Sequence, residues 1–241
     1  MMGSTLKGKD DSITVKINGG GPCGTVLAVS DSDGNVRGCI GKADISLPLN
    51  KKGKLDVAGA VGKNGFVTVI KDLGLKEPYI GKTPIVSGEI AEDITSYYAV
   101  SEQIPTVCAL GVLTEHDSGE IICAGGFMIQ LLPTADDTII ERVEESIKDL
   151  PPVTKMLSDG MTPEEICKKA LSKFNLQLLD ETNTAYRCTC SRERVEKALI
   201  ATGKSGLSEM AEDETTEVVC NFCHKKYHFS KEEIQKMLKR V

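Results

Sequence analysis

Residues 188–241 hold few large apolar side chains, yet they carry four cysteines in two close pairs, Cys188-Thr-Cys190 and Cys220-Asn-Phe-Cys223. A segment this short and polar seldom buries enough surface to fold without a metal or disulfides. Four thiolates at such spacings can wrap one tetrahedral Zn²⁺, since soft sulfur suits closed zinc sites. Cys188, Cys190, Cys220 and Cys223 are therefore predicted metal ligands for one zinc per chain, and the metal is expected to act as the core of its segment. Apparent free energies of structural zinc binding run to roughly 10–16 kcal/mol near neutral pH, which rivals the whole stability of a typical domain.

The first pair departs from the common zinc ribbon, whose paired ligands are two to four residues apart; only Thr189 separates Cys188 from Cys190. Thiols this close can also oxidise to one another. Four cysteines allow three pairings, and sequence does not choose among them. If each pair closes on itself, the loops are so short that chain-entropy stabilisation is only about 1.5–2 kcal/mol before strain. The tie across residues 191–219 would vanish, so oxidation is expected to unfold the segment. A static zinc site is the plainer reading of four cysteines, and the single-residue spacing favours a switch.

Upstream the pattern is mainly β. Ser12–Ile17 alternates, Thr25–Val29 is more continuously apolar, and Asp31–Asn35 reads as a hairpin signal. Further strands are predicted at 65–71, 78–87, 106–114 and 120–132, interrupted by a helix over Glu89–Gln103 with Ile90, Ile94, Tyr97, Tyr98 and Ser101 near helical spacing. After Pro133 the character turns helical: Asp136–Leu150 is followed by Pro151-Pro152, and Thr162 with Glu165 forms a capping box opening a helix to Lys173. A second capping box, Ser230 with Glu233, opens a terminal helix through Lys239. The predicted class is α+β: a mixed N-terminal domain with a β-sheet core over 1–133, a helical connector over 134–187, and a small C-terminal zinc-binding module over 188–241.

Several chemistries find no support. Cys220-Asn-Phe-Cys-His224 matches a covalent haem pattern, but that leaves Cys188 and Cys190 without a role, and no βαβ pattern frames a thioredoxin-like use. His224 and His228 are read as surface or outer-layer groups, because four cysteines already fill a tetrahedron; His116 falls in a predicted turn. Glu89, Glu92 and Asp93 read as one solvated helix face rather than acid/base machinery. Neither a phosphate-binding loop nor a nucleophile elbow occurs, and no enzyme activity is predicted. Cys23, Cys39, Cys108, Cys123 and Cys167 lie mostly in apolar runs and are read as inert thiols.

Partners are bounded by charge. The chain's formal net charge of −6, the lack of Trp and the 4% aromatic content argue against a general nucleic-acid surface. Residues 220–241 nonetheless hold six Lys or Arg against two acids, with Phe222, Tyr227 and Phe229 available to stack. The alternative function is thus a basic zinc-ribbon module binding nucleic acid. The longest apolar stretch, Ile121–Leu132, is too short to cross a bilayer. No export signal opens the chain, and nine cysteines then point to a reducing, cytoplasmic setting.

The sequence resembles the heat shock protein 33 family of redox-regulated chaperones. The C-x-C and C-x-x-C pairs match its cysteine signature, and Gly34–Gly38, Leu47–Asn50, Gly53–Val57, Val69–Tyr79, Ser87–Asp93, Tyr98–Gln103 and Gly125–Pro133 resemble its motifs in order. The resemblance implies an ATP-independent holdase, inactive when reduced and zinc-bound, and switched on by peroxide or hypochlorite with heat. Disulfides would form within each pair, Cys188–Cys190 and Cys220–Cys223, as zinc is released. The connector would unfold, unfolding client proteins would be captured, and the active form would be a homodimer. Family members carry a further strand and long helix ahead of the segment matching Met1–Gly8, which bears on dimerisation and resting solubility here.

Overall fold

The computed structural model describes residues 1–51, 53–115 and 118–241. The turn predicted at His116 lies outside the described residues. In chain order the elements are β1 (Ser12–Asn18), β2 (Val26–Asp31), β3 (Asn35–Ile40), α1 (Val57–Val61), β4 (Phe66–Asp72), β5 (Tyr79–Pro84), α2 (Ile90–Tyr97), β6 (Thr106–Thr114), β7 (Ile121–Gln130), α3 (Asp137–Ile147), α4 (Val153–Ser158), α5 (Pro163–Ala170), β8 (Ala185–Tyr186), α6 (Arg192–Ile200), α7 (Gly203–Met210), β9 (Thr215–Val219), β10 (Lys226–Ser230) and α8 (Lys231–Leu238). They form two compact units, Met1–Gly34 with Ile40–Thr184 and Asn35–Cys39 with Ala185–Val241. The class is α+β, as the sequence pattern indicated.

In the first unit, antiparallel strands run in the order β5-β4-β1-β2. The alternation of β1 sends Ile13 and Ile17 inward, where they join Val67 and Val69 of β4 and Ile94, Tyr97 and Tyr98 in one buried cluster. Each such side chain contributes about 1.5–3 kcal/mol by leaving water. The predicted strand over 78–87 stops at Pro84, because the next N–H groups turn to a carboxylate. Asp93 Oδ1 accepts from Val86 N–H (2.8 Å) and Ser87 N–H (3.1 Å), and its Oδ2 accepts from Gly88 N–H (3.0 Å).

Asp93 is 1% exposed, which corrects the reading of Glu89, Glu92 and Asp93 as one solvated face. Glu89 is half-buried and Glu92 exposed; the third acid is a structural acceptor sitting in the first turn of α2, where the helix dipole favours it. Asp93→Ala strands those N–H donors. We expect it to lower first-unit stability by about 3–5 kcal/mol, measured by urea denaturation; a loss below about 1 kcal/mol would mean water replaces the carboxylate. The predicted helix over 89–103 also changes character. After Tyr97 the chain widens into a π turn over Tyr98–Glu102, which carries Glu102 to Lys71 Nζ (2.7 Å) and the Tyr97 hydroxyl. Burial works to raise the Glu102 carboxyl, but these two donors outweigh it and hold it below the ordinary carboxylate range.

Helices α4 and α5 pack on the β6–β7 hairpin. Gly111 and Gly125 pair across the hairpin and form a floor for α4. A Cβ on Gly111 would lie 2.7 Å from Thr154 Cγ2, and one on Gly125 2.8 Å from Leu157 Cδ1. Val153 and Met156 of α4 and Ile166 and Ala170 of α5 then bury against Phe127. The Thr162–Glu165 capping box forms as predicted, but α5 ends at Ala170 rather than Lys173. There Arg142 reaches over from α3, stacking 4.4 Å from the Phe174 ring and donating to the Lys173 carbonyl.

The second unit has an apolar centre of its own. Leu199, Leu207, Tyr227, Phe229, Ile234 and Met237 are buried together, drawn from α6, α7, β10 and α8. A metal is thus not the whole core of this segment. Ser230 and Glu233 form the predicted capping box of α8. Strand β3 joins this unit by parallel pairing with β8, Asn35 opposite Ala185 and Val36 opposite Tyr186. Among the described residues no helix is long and apolar enough to cross a membrane.

Candidate metal centre

Two loops of the second unit supply the cysteines. Cys188 and Cys190 lie between β8 and α6, whose N-terminus is capped by Ser191 accepting from Arg194 N–H. Cys220 and Cys223 sit in the turn of the β9–β10 hairpin, in register from Val219 opposite Lys226 to Thr215 opposite Ser230. That turn is tied by Cys220 N–H donating to Lys225 O (3.0 Å) and His224 N–H donating to Cys220 O (2.8 Å). His224 takes φ +57, a left-handed conformation that lets the chain re-enter β10.

The four sulfurs all lie within 4.8 Å of one another. Cys188 Sγ is 3.7 Å from Cys220 Sγ, and Cys190 Sγ is 3.4 Å from Cys223 Sγ. A tetrahedral zinc with Zn–S near 2.3 Å requires sulfurs about 3.8 Å apart, so the donor set fits that ion in type, number and spacing. Burial, with hydrogen bonds among the thiols, pushes Cys188 up to about 12. Cys190 is drawn down to about 7, first by a hydrogen bond from the Tyr227 hydroxyl at 3.1 Å. Cys188 therefore keeps its proton at neutral pH until a cation compensates it, and metal binding here must release protons.

The surroundings fix both loops. The Tyr186 hydroxyl lies 3.0 Å from Gly38 O and 2.5 Å from Phe222 O, so its proton bridges β3 and the hairpin turn. The Arg37 guanidinium covers the Phe222 ring at 5.4 Å, and Arg194 donates to Thr189 Oγ1 at 2.6 Å, between the first two cysteines. Sequence reasoning missed Tyr186, because its partners are up to 148 residues away, and read Tyr227 only as a stacking aromatic.

The other candidates fall elsewhere. Cys23 is buried, Cys39, Cys108 and Cys123 are half-buried, and none belongs to the cluster. Cys167 is exposed, against the expectation of a sheltered thiol, because it lies on the outer face of α5. His224 is exposed, and exposed His228 faces Glu217 at 3.6 Å. Tyr227 is 6% and Phe229 1% exposed, so neither ring can stack on a base, which removes most of the support for a nucleic-acid module.

Comparison with known proteins agrees with this geometry. The family profile described as Hsp33 protein matches residues 1–230. The 33 kDa chaperonin of Clostridium botulinum is 48% identical over 240 residues, covering 99% of this chain and 81% of that protein. That of Clostridioides difficile is 49% identical over 242 residues, covering 100% and 82%. The crystal structure of the 33 kDa chaperonin (heat shock protein 33 homolog) from Thermotoga maritima superposes with a TM-score of 0.86 at 38% identity, over 99% of this chain and 81% of that one. With a family match across most of its length and a four-cysteine cluster at its C-terminal end, this chain belongs to the Hsp33 family of chaperonins, which is not an enzyme family.

Proposed function

We propose that this chain is a redox-regulated, ATP-independent holdase whose switch is the centre formed by Cys188, Cys190, Cys220 and Cys223. The observation that carries this reading is the gathering of four sulfurs from two separate loops at spacings suited to one tetrahedral ion. When bound, zinc would supply a divalent centre that ties the two loops together. In the reduced state the four thiolates hold it, and residues 188–241 stay folded. Peroxide or hypochlorite oxidises the sulfurs, disulfides form within each pair as Cys188–Cys190 and Cys220–Cys223, and the donor set for the metal is lost.

The unfolding then spreads to the connector, residues 134–187, while residues 1–133 persist as the chaperone domain. Loosening α4 and α5 uncovers Phe127 and the paired-glycine floor of the hairpin. Partly folded client proteins bind to the apolar surface so released, which protects them during oxidative stress and heat. The active form is a homodimer, and the setting is the cytoplasm.

The test uses purified reduced protein. We expect one equivalent of zinc per chain and no suppression of aggregation of a thermally unfolding substrate. Peroxide at mildly elevated temperature should release that zinc and turn suppression on within the same sample. A reduced chain that carries no metal, or suppression indifferent to oxidant, defeats the proposal. Salt-dependent RNA binding by the reduced chain, lost on oxidation, would favour the nucleic-acid reading instead.

A further inference from the structure

The structure assigns Tyr227 as the residue that restrains Cys190 in its reaction with oxidant: its hydroxyl holds the Cys190 sulfur in a hydrogen bond and sets how much peroxide the centre withstands. This inference rests on the metal-bound redox reading above and concerns the chain's own atoms within it.

The hydroxyl donates to Cys190 Sγ at 3.1 Å, within ordinary reach of an O–H to sulfur contact. The ring cannot swing away. Tyr227 is 6% exposed, pairs with Val218 across the hairpin, and shares a cluster with Leu199, Leu207, Phe229, Ile234 and Met237. Lys225 Nζ sits 5.3 Å from the ring centroid, and a cation there draws electron density from the phenol and sharpens its hydroxyl as a donor. Cys190 itself packs against the same cluster, whereas Cys223 is exposed. The centre therefore carries one sulfur, on the loop before α6, that is bonded and sheltered and another, on the hairpin turn, that is open to solvent.

Oxidation begins when a thiolate sulfur attacks a peroxide oxygen. The O–O bond breaks, sulfur gives up two electrons to become a sulfenic acid, and hydroxide leaves. A neighbouring thiolate then attacks that sulfur, an S–S bond forms and a second hydroxide leaves. A zinc-bound thiolate sulfur keeps two lone pairs for attack on peroxide, and the Tyr227 hydroxyl donates to one of them. Donation to it lowers its energy and its nucleophilicity, as hydrogen bonds to metal-bound sulfur tune such centres in general.

Tyr227→Phe removes the hydroxyl and keeps the buried ring. On the zinc-loaded full-length chain, limiting iodoacetamide followed by peptide mass spectrometry reads each cysteine separately. We expect the labelling ratio Cys190:Cys223 to rise about three- to tenfold, with faster peroxide-driven zinc release. In the Co²⁺-loaded protein the sulfur-to-cobalt charge-transfer band should move to longer wavelength. Phe229→Leu, which loosens the same cluster while leaving the Tyr227 hydrogen bond to sulfur, should raise labelling of all four cysteines together and leave the band in place. A Cys190:Cys223 ratio that stays within twofold or falls in Tyr227→Phe, or an unmoved band, overturns the inference. Failure of the wild-type chain to hold zinc or to respond to peroxide would instead overturn the functional reading, so the two failures are separate.

Discussion

Cys220→Ser should leave the reduced chain without tightly bound zinc and should melt residues 185–241, with loosening that spreads into 134–184 while the strands β1 and β4 of the first unit stay folded. A serine hydroxyl is hard, neutral at this pH and a poor partner for zinc beside three thiolates. Apparent binding free energies of roughly 10–16 kcal/mol are available from a complete set, and loss of one ligand forfeits much of that stabilisation. What remains is the cluster around Leu207, Phe229 and Ile234, a small core for a unit of this length. Hydrogen exchange checks the outcome directly: amides of β9 and β10 should lose protection, and those of β1 and β4 should keep it. Aggregation suppression should then appear without oxidant. Cys167→Ser, an exposed cysteine outside the cluster, serves as the control and should change nothing. Retained protection across β9–β10 in Cys220→Ser would mean that apolar packing alone suffices and that thiol oxidation cannot unfold this unit.

Which parts of this architecture the sequence revealed follows from how local their causes are. The four cysteines and the capping boxes at Thr162 and Ser230 were legible because each is a short-range pattern of donors and acceptors. The sheet strands were legible because β1 alternates and the run that becomes β2 is more continuously apolar. The apolar cluster of the second unit was not, since its six buried members are spread over four short elements with no sustained period. Nor could any pattern show that Asn35–Cys39 belongs with residues 185–241, a pairing of segments far apart in the chain. Asp93 was misread because acids near a helix start are usually solvated; the hint was the Ser87-Gly88 turn just upstream, whose N–H groups needed an acceptor. Helices α1 and α4 are too short to carry a periodic signature, and α4 owes its place to the cross-strand glycines beneath it.

The hidden cluster makes a second expectation nearly as large. Phe229→Ala should weaken zinc binding by the reduced chain although Phe229 is not one of the four ligands. The ring is 1% exposed, seated on β10 beneath the Arg192 guanidinium at 4.3 Å, and packed with Leu207 and Ile234, both fully buried. Truncating a buried Phe costs about 3–5 kcal/mol, a large share of the 5–15 kcal/mol that holds a whole domain. Because the ligand geometry exists only in the folded unit, metal binding and folding are linked, and a loss in one is read as a loss in the other. Converted at about 1.4 kcal/mol per tenfold, the truncation should weaken apparent zinc affinity by roughly 10²- to 4 × 10³-fold. Competition against a chelator of known affinity measures this, and the temperature at which suppression of aggregation begins should fall in parallel. Under the proposed function the variant would then respond to heat with little or no oxidant, because the apolar half of the restraint is already gone. An affinity unchanged within threefold would instead show that the two cysteine loops assemble around metal independently of the fold behind them, and the switch would reside in the loops alone.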